Sequence, residues 1–344
     1  MIDTVKIYSA INEQVYNIIY NNSIVKSSIN KKDGVILYEV VNDHLEGSYS
    51  SSLSVRVGYS SKYNLFDTEY CIEVEGSYHK IWKGFNSHDG VYNLQYIVKE
   101  FIRLTENAYN IKLPKLEKWY LQRIDIAKCF DIENQRNVCD YINSLSCCRY
   151  SRRKLKFYAN ESLYSSGTTT TLKIYNKLLE FQKHDQKKFK DTNFDLLKYC
   201  NHIQGFIRFE VEIKKKKLQS IYGIDKKHIS VKDLNYYEFE RVWSDEFMKL
   251  LGILESDLKI VKGKEEVKKR LISIYGQNKG LRLFNFYCSI QLNGLDFIKK
   301  DMSKTSYYRN ISDLKFASVD YSQTYQIEEI PTFWFNPFEA EEVI

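Results

Sequence analysis

Hydrophobic and polar residues alternate along Gly205–Lys214, setting Ile207, Phe209, Val211 and Ile213 on one side and Arg208, Glu210 and Glu212 on the other. A period of two predicts a half-buried strand with one face for the core and an opposite, polar face. Phe206 is the exception, because its parity puts it among the polar side chains. Two further stretches repeat the pattern. In Trp119–Asp131, Ile124 and Ile126 oppose Arg123 and Asp125. In Leu172–Lys177, Leu172 and Ile174 oppose Lys173, Tyr175 and Lys177, and the segment Thr168–Glu180 reads as a strand running straight into a helix.

The same reading predicts strands at Asp3–Tyr8, Val35–Val41, Ser52–Tyr59, Glu69–Glu75 and Leu155–Tyr158. Helices are expected at Glu13–Tyr20, Val91–Thr105, Arg136–Leu145 and Phe194–Ile203, the second with a clear apolar stripe of Leu94, Ile97, Val98, Phe101 and Ile102. Beyond Ser230 the pattern turns helical, at Glu238–Leu251, Glu265–Tyr275, Leu281–Leu292, Leu295–Asp301 and Ser306–Phe316. The last two are joined by Met302–Thr305, as in a helix-turn-helix whose second helix would offer Tyr307, Tyr308 and Arg309 to DNA. A helical hairpin that merely closes the fold has the same pattern. The end of the chain, acidic with Trp and Phe, reads as a loosely held tail. The expected architecture is α+β: a central, mostly antiparallel sheet with helices packed on one face, in residues 1–225, followed by a helical, helix-turn-helix-like C-terminal region in 226–325 and the tail in 326–344.

With 344 residues, 43% hydrophobic and 28% charged, the chain has the composition of a soluble globular protein. No apolar run approaches the roughly 20 residues that span a bilayer, and the start has no signal-peptide pattern, so no membrane partner and a cytoplasmic location are expected. The seven cysteines show neither C-x-x-C pairs nor zinc spacing, which reads as free thiols in a reducing compartment. A net charge of +7 is mild, but it gathers in Arg149–Lys156, Lys183–Lys190, Lys214–Lys217 and Lys259–Arg270, in a chain with 28 tyrosines. Basic runs interleaved with aromatics fit a polyanion such as nucleic acid, with Arg152, Arg153 and Lys154 as candidate contacts. The segment Gly76–Asn86, which carries Lys80, Trp82 and Asn86, suits a loop that touches DNA by charge and stacking, or a turn that packs its Trp.

Taken singly, the polar strand faces have structural readings: Tyr175 on a solvated surface, Asp125 in an ion pair with Arg123. If the three strands are neighbours, their polar sides form one patch of carboxylates, cations and a tyrosine. Asp125, Glu210 and Glu212 would then offer hard oxygen ligands to Mg²⁺ or Mn²⁺. Lys173, Lys177 and Arg208 would offset charge on a phosphodiester, and Tyr175 could attack it.

The order of these segments resembles a known family. Met1-Ile-Asp-Thr4, Gly76-Ser77 with Lys80, Gly84 and Asn86, Arg123-Ile-Asp125, Lys173-Ile-Tyr-Asn-Lys-Leu-Leu-Glu180 and Arg208-Phe-Glu210 follow one another as in phage and plasmid replication proteins of the gene II/X type, relatives of the Rep_trans plasmid initiators. The resemblance implies rolling-circle initiation: binding to double-strand origin DNA, nicking of one strand by a tyrosine, a 5′-phosphotyrosine intermediate and later rejoining. It places the nucleophile on Tyr175, metal-binding acids on Asp125 and Glu210, with Glu212 as a further acid, and phosphate contacts on Lys173, Lys177 and Arg208. It also implies single-stranded DNA, a host helicase and a DNA polymerase as partners, and leaves a homodimer open. The histidine-x-histidine metal pair of many nicking enzymes is missing here, which favours Mg²⁺ or Mn²⁺ on carboxylates. Two other readings remain: a non-enzymatic DNA-binding regulator that uses the Ser306–Phe316 helix, and a metal-dependent nuclease that activates water.

Overall fold

The computed structural model describes all residues except 30, 33–35, 47–51, 64, 66–67, 87, 146–149, 151–152, 191, 224–226, 252–263, 318, 320, 322–334 and 344. Its centre is one antiparallel sheet of ten strands among the described residues: β1 Ile2–Ile11, β2 Val25–Ile29, β3 Ile36–Glu46, β4 Ser52–Tyr59, β5 Tyr70–Ser77, β6 Tyr120–Asp131, β7 Leu155–Tyr158, β8 Ser162–Ser166, β9 Thr170–Asn176 and β10 Phe206–Lys214. The spatial order is β2-β3-β4-β5-β1-β6-β10-β9-β8-β7. Thus β6, β10 and β9, the three strands with matching polar faces, lie side by side.

Register decides which side chains meet, since directly paired residues share a face. Arg208 pairs with Tyr175 and Cys129, Glu210 with Lys173 and Ala127, and Glu212 with Asp125. The polar sides therefore fall on one face of the sheet, and Ile124, Ile126, Leu172, Ile174, Phe209, Val211 and Ile213 fall on the other, where all are buried. That apolar face is covered by α1 (Glu13–Asn22), α3 (Leu94–Tyr109), α4 (Gln135–Ser144), α7 (Lys215–Tyr222) and α8 (Tyr236–Leu251), which contribute Ile19, Phe101, Ile142, Leu218 and Trp243 to the main core. The short α2 (Tyr78–Lys83) adds Ile81.

The polar face carries a helical layer at one end. There α5 (Lys177–His184) and α6 (Leu196–Ile203) enclose a small cluster of Phe85, Cys129, Phe181, Phe189, Ile203 and Phe206. This accounts for the anomalous parity of Phe206: it stands on the polar side because a second, smaller core lies there.

The C-terminal helices form a cluster of their own around Leu271, Leu283, Tyr287, Ile311 and Leu314. They are α9 (Lys264–Asn293), broken at Gly276 with φ 76°, then α10 (Leu295–Asp301) and α11 (Lys304–Phe316). The break turns one half of α9 back on the other so closely that a Cβ on Gly280 would lie 2.6 Å from the Ile272 Cα. The expectation of a loose tail is corrected for residues 335–343. Phe335 is buried against Phe130, Tyr141 and Phe209, and the Val343 amide donates to the Cys129 carbonyl at 2.8 Å. Among the described residues no helix is long and apolar enough to cross a membrane, and five cysteines are free thiols.

Candidate active site

A cavity of about 780 Å³ opens on the polar face, lined by Asp3, Lys80, Asn86, Arg123, Asp125, Lys173, Tyr175, Glu210 and neighbouring side chains. Local structure sets the nucleophile candidate at its edge. The Thr-rich, β-branched run holds β9 extended, and at Asn176 the side chain turns to accept from the Leu179 amide at 3.2 Å, capping α5. Tyr175 is thus the penultimate residue of the strand, only 9% exposed, and its hydroxyl donates to Glu210 Oε2 at 3.1 Å.

Glu210 joins three groups. Its other oxygen accepts from Lys173 Nζ at 2.5 Å, and Arg208 Nε lies 3.9 Å from Oε2. Arg208 is fully buried and also pairs with Asp3 Oδ2 at 3.3 Å, while Ser77 donates to Asp3 Oδ1 at 3.0 Å. Across β10, Arg123 grips Asp125 with two nitrogens, at 2.8 and 2.5 Å, and reaches Glu75 at 3.2 Å. The ion pair expected from the Arg123-Ile-Asp125 spacing is therefore real, and it is also part of the cavity wall.

Burial and opposing charges tune these groups. Burial pushes the Asp125 carboxyl up to about 7, with Arg123 pulling down and the charge of Glu210 pushing up. Burial raises the Tyr175 phenol well above its usual value, Arg208 acting against it and Glu210 with it. Lys173 moves the other way from what its burial favours, because Glu210 and Asp125 hold its proton. Asp3 stays below the ordinary carboxylate range: burial opposes this, and Arg208, Lys80 and His79 outweigh it.

The other predicted site residues divide. Lys80 and Asn86 line the cavity. Glu212 stands beside Asp125 in the register but pairs with Arg123 and Lys214, each at 3.6 Å, outside the cavity lining. Lys177 does not continue the strand face: it begins α5, is fully buried and pairs with Glu180 at 3.0 Å. It leaves the strand face because the strand ends one residue earlier at the cap. Arg153 is engaged with Thr170 and with the buried Glu246 at 3.1 Å. Lys154 is exposed, and Arg152 lies outside the described residues. In α11, Tyr308 and Arg309 are exposed, whereas Tyr307 packs into the helical cluster and is no surface contact.

Sequence reasoning missed Asp3 as a site residue, although it lies in Met1-Ile-Asp-Thr4, a carboxylate in an otherwise apolar strand start. It also missed the hairpin residues Lys156, Tyr158 and Tyr164, which line the cavity's outer side. The histidines are not a metal pair: His79 Nε2 donates to the Ile2 carbonyl at 3.2 Å, and His88 packs on His202 and Phe206 with its ring pushed down to about 4, chiefly by burial. Among the described residues no group of three His, Cys, Asp or Glu side chains forms a ready metal cage.

Comparison with known proteins adds a family. The profile of the phage replication-associated protein of the gene II type, N-terminal part, matches residues 1–239. No protein of curated function matches the sequence. A solved rolling circle replication initiator protein from Geobacillus stearothermophilus overlays at 11% identity and a TM-score of 0.29, covering 72% of this chain and 84% of its own. The di-domain aromatase/cyclase StfQ of steffimycin biosynthesis overlays at 9% identity and a TM-score of 0.19, covering 72% and 95%. Neither overlay is close enough to carry an argument.

Proposed function

The chain belongs to the family of phage replication-associated proteins of the gene II type, and on that premise we propose that it starts rolling-circle DNA replication by nicking one origin strand with Tyr175. The observation that carries this reading is the hydrogen bond from the Tyr175 hydroxyl to Glu210 within a cavity that also holds Lys173, Arg123 and Asp125.

In the proposed reaction the Tyr175 oxygen attacks the scissile phosphorus, and its proton passes to Glu210. The Tyr–O–P bond forms as the P–O3′ bond breaks, and the 3′ oxygen takes a proton from water. The phosphate stays on the tyrosine, ready for the reverse attack that rejoins the strand. Glu210 is placed to do this because its carboxylate already accepts the phenol proton's hydrogen bond. Lys173 stands on the same carboxylate and is firmly protonated, so it can stabilise charge on the phosphoryl oxygens. Arg208 and Asp3 lie behind this pair and hold Glu210 in position.

Asp125 and Glu210, two buried carboxylates on adjacent strands, would be the hard-oxygen donors for a Mg²⁺ or Mn²⁺ ion. Such an ion would supply Lewis-acid polarisation of the phosphodiester. In the present arrangement each carboxylate is neutralised by a protein cation, Arg123 for Asp125 and Lys173 for Glu210.

The test is a denaturing gel after incubation with single-stranded origin DNA and Mg²⁺. The wild-type chain is expected to carry covalently attached DNA and Tyr175→Phe to carry none. Adduct formation by Tyr175→Phe at the wild-type rate would remove Tyr175 from the mechanism, and cleavage without any adduct would point instead to an activated water.

A further inference from the structure

The hairpin of β7 and β8 forms the outer wall of the cavity, and two cross-strand rows lead from it to the reacting groups. One row is Tyr158, Ser162, Tyr175 and Arg208; the other is Lys156, Tyr164, Lys173 and Glu210. Paired residues share a face and neighbouring strands lie about 4.8 Å apart. Tyr164 is therefore one strand away from Lys173, and Tyr158 is two strands, on the order of 10 Å, from Tyr175. Lys156, Tyr158 and Tyr164 all line the same cavity. β7 is the last strand of the sheet on this side, and Tyr158 is 50% exposed.

A half-exposed ring at the rim of a polar cavity does little for the core. Burial of its face awaits something flat and apolar from outside. The neighbouring ring, Tyr164, has Lys173 Nζ 5.7 Å from its centroid, so its environment is cationic as well as aromatic. Rings alternating with ammonium groups match a chain in which flat bases alternate with phosphates. They do not match a duplex, whose bases are stacked on each other and hidden from side chains at this depth.

We infer that the β7–β8 hairpin is a single-strand subsite, in which Tyr158 and Tyr164 stack unpaired bases next to the scissile phosphate and Lys156 meets the adjoining backbone. The inference rests on the reading of Tyr175 as the nucleophile for its geometry, but it is tested by binding alone. It narrows the substrate to DNA already melted beside the nick: intact duplex would leave the rings unfilled.

The experiment uses the full-length chain without divalent metal and a short fluorescein-labelled oligothymidylate, followed by fluorescence anisotropy. Tyr158→Ala is expected to weaken binding by roughly 5- to 150-fold, the loss of about one stacked base, and Tyr158→Phe to retain it. Lys156→Gln should lower the slope of log affinity against log salt by about one phosphate contact, whereas Tyr158→Ala should leave the slope unchanged. As a direct readout, 2-aminopurine in the oligonucleotide should be quenched on binding to the wild-type chain and less so on Tyr158→Ala. Wild-type affinity and quenching in Tyr158→Ala, with Tyr164→Leu also unchanged, would overturn the subsite. The adduct gel is run on the same proteins, so a lost nucleophile and a lost stacking site give separate results.

Discussion

Glu210 is the group on which structural and chemical demands coincide, and Glu210→Gln separates them. The substitution keeps shape and one acceptor but removes the charge that faces Lys173 at 2.5 Å and the fully buried Arg208 at 3.9 Å. Taking one partner from a buried ion pair costs about 3–5 kcal/mol. The lower figure applies because the amide can still accept a hydrogen bond, and at about 1.4 °C per kcal/mol for a chain of this size it corresponds to a fall in Tm of roughly 4 °C. Loss of the proton acceptor for Tyr175 adds a separate effect, roughly a 10²- to 10⁴-fold slower adduct formation. The double variant Glu210→Gln with Lys173→Met removes both charges. It should recover much of the Tm, since a missing pair costs less than a half-pair, while adduct formation stays slow. The assays are thermal unfolding followed by circular dichroism and single-turnover adduct formation on single-stranded origin DNA, run below the lowest Tm. If Glu210→Gln forms adduct at the wild-type rate while its Tm falls, Glu210 is an anchor for Lys173 and Arg208 and takes no part in the chemistry.

Two other expectations follow from the same geometry. The folded Asp125 carboxyl is pushed up to about 7, above its unfolded value of about 3.9, so the folded state binds more protons in that window. Its contribution to stability then falls as pH rises from about 4 to about 7; Asp125→Asn should flatten this part of the stability profile, and an unchanged profile would refute the assignment. Because an ion on Asp125 must displace that proton, Mg²⁺ titrated calorimetrically near pH 6.5 should release protons, with the release fading about two units higher. Finally, Gly280→Ala would set a Cβ 2.6 Å from the Ile272 Cα and 2.7 Å from the Leu271 carbonyl oxygen. That should cost about 1–3 kcal/mol and raise hydrogen exchange across α9–α11 while leaving the central strands protected; uniform protection would show that the two halves of α9 are not held together there.

What could be read from the sequence was what local pattern encodes. The faultless alternation of Ile207, Phe209, Val211 and Ile213 specified β10 and its faces, and the matching grammar of β6 and β9 identified the right partners. Their adjacency could not be read, because strand order depends on pairings between residues far apart, such as Arg208 with Tyr175 and Cys129. Periodicity also misassigned Lys177, whose position continues the strand alternation although Asn176 caps a helix one residue before it. The strand Ser162–Ser166 was missed because three serines give it little strand propensity. Arg153 looked like a member of a basic surface run; only the tertiary fold shows Glu246 and Thr170 waiting for it. For the candidate site, the polar groups of β6, β9 and β10 were legible as residue types on shared faces, whereas Asp3 and the hairpin rings were not, since each comes to the cavity through a neighbour distant in the chain.

The return of residues 335–343 to the sheet changes the mechanical status of the helices that precede them. With Phe335 lodged against Phe130 and Phe209, and α8 packed beside it on the same rings, Trp243 also meeting Phe338, the helices α9–α11 are a closed excursion of the chain rather than a pendant. Any load on these helices passes to the sheet through two anchor points instead of one. A deletion that looks like trimming a disposable end would cut one of those anchors, and it would also uncover the core on which the strands beside Tyr175 are laid.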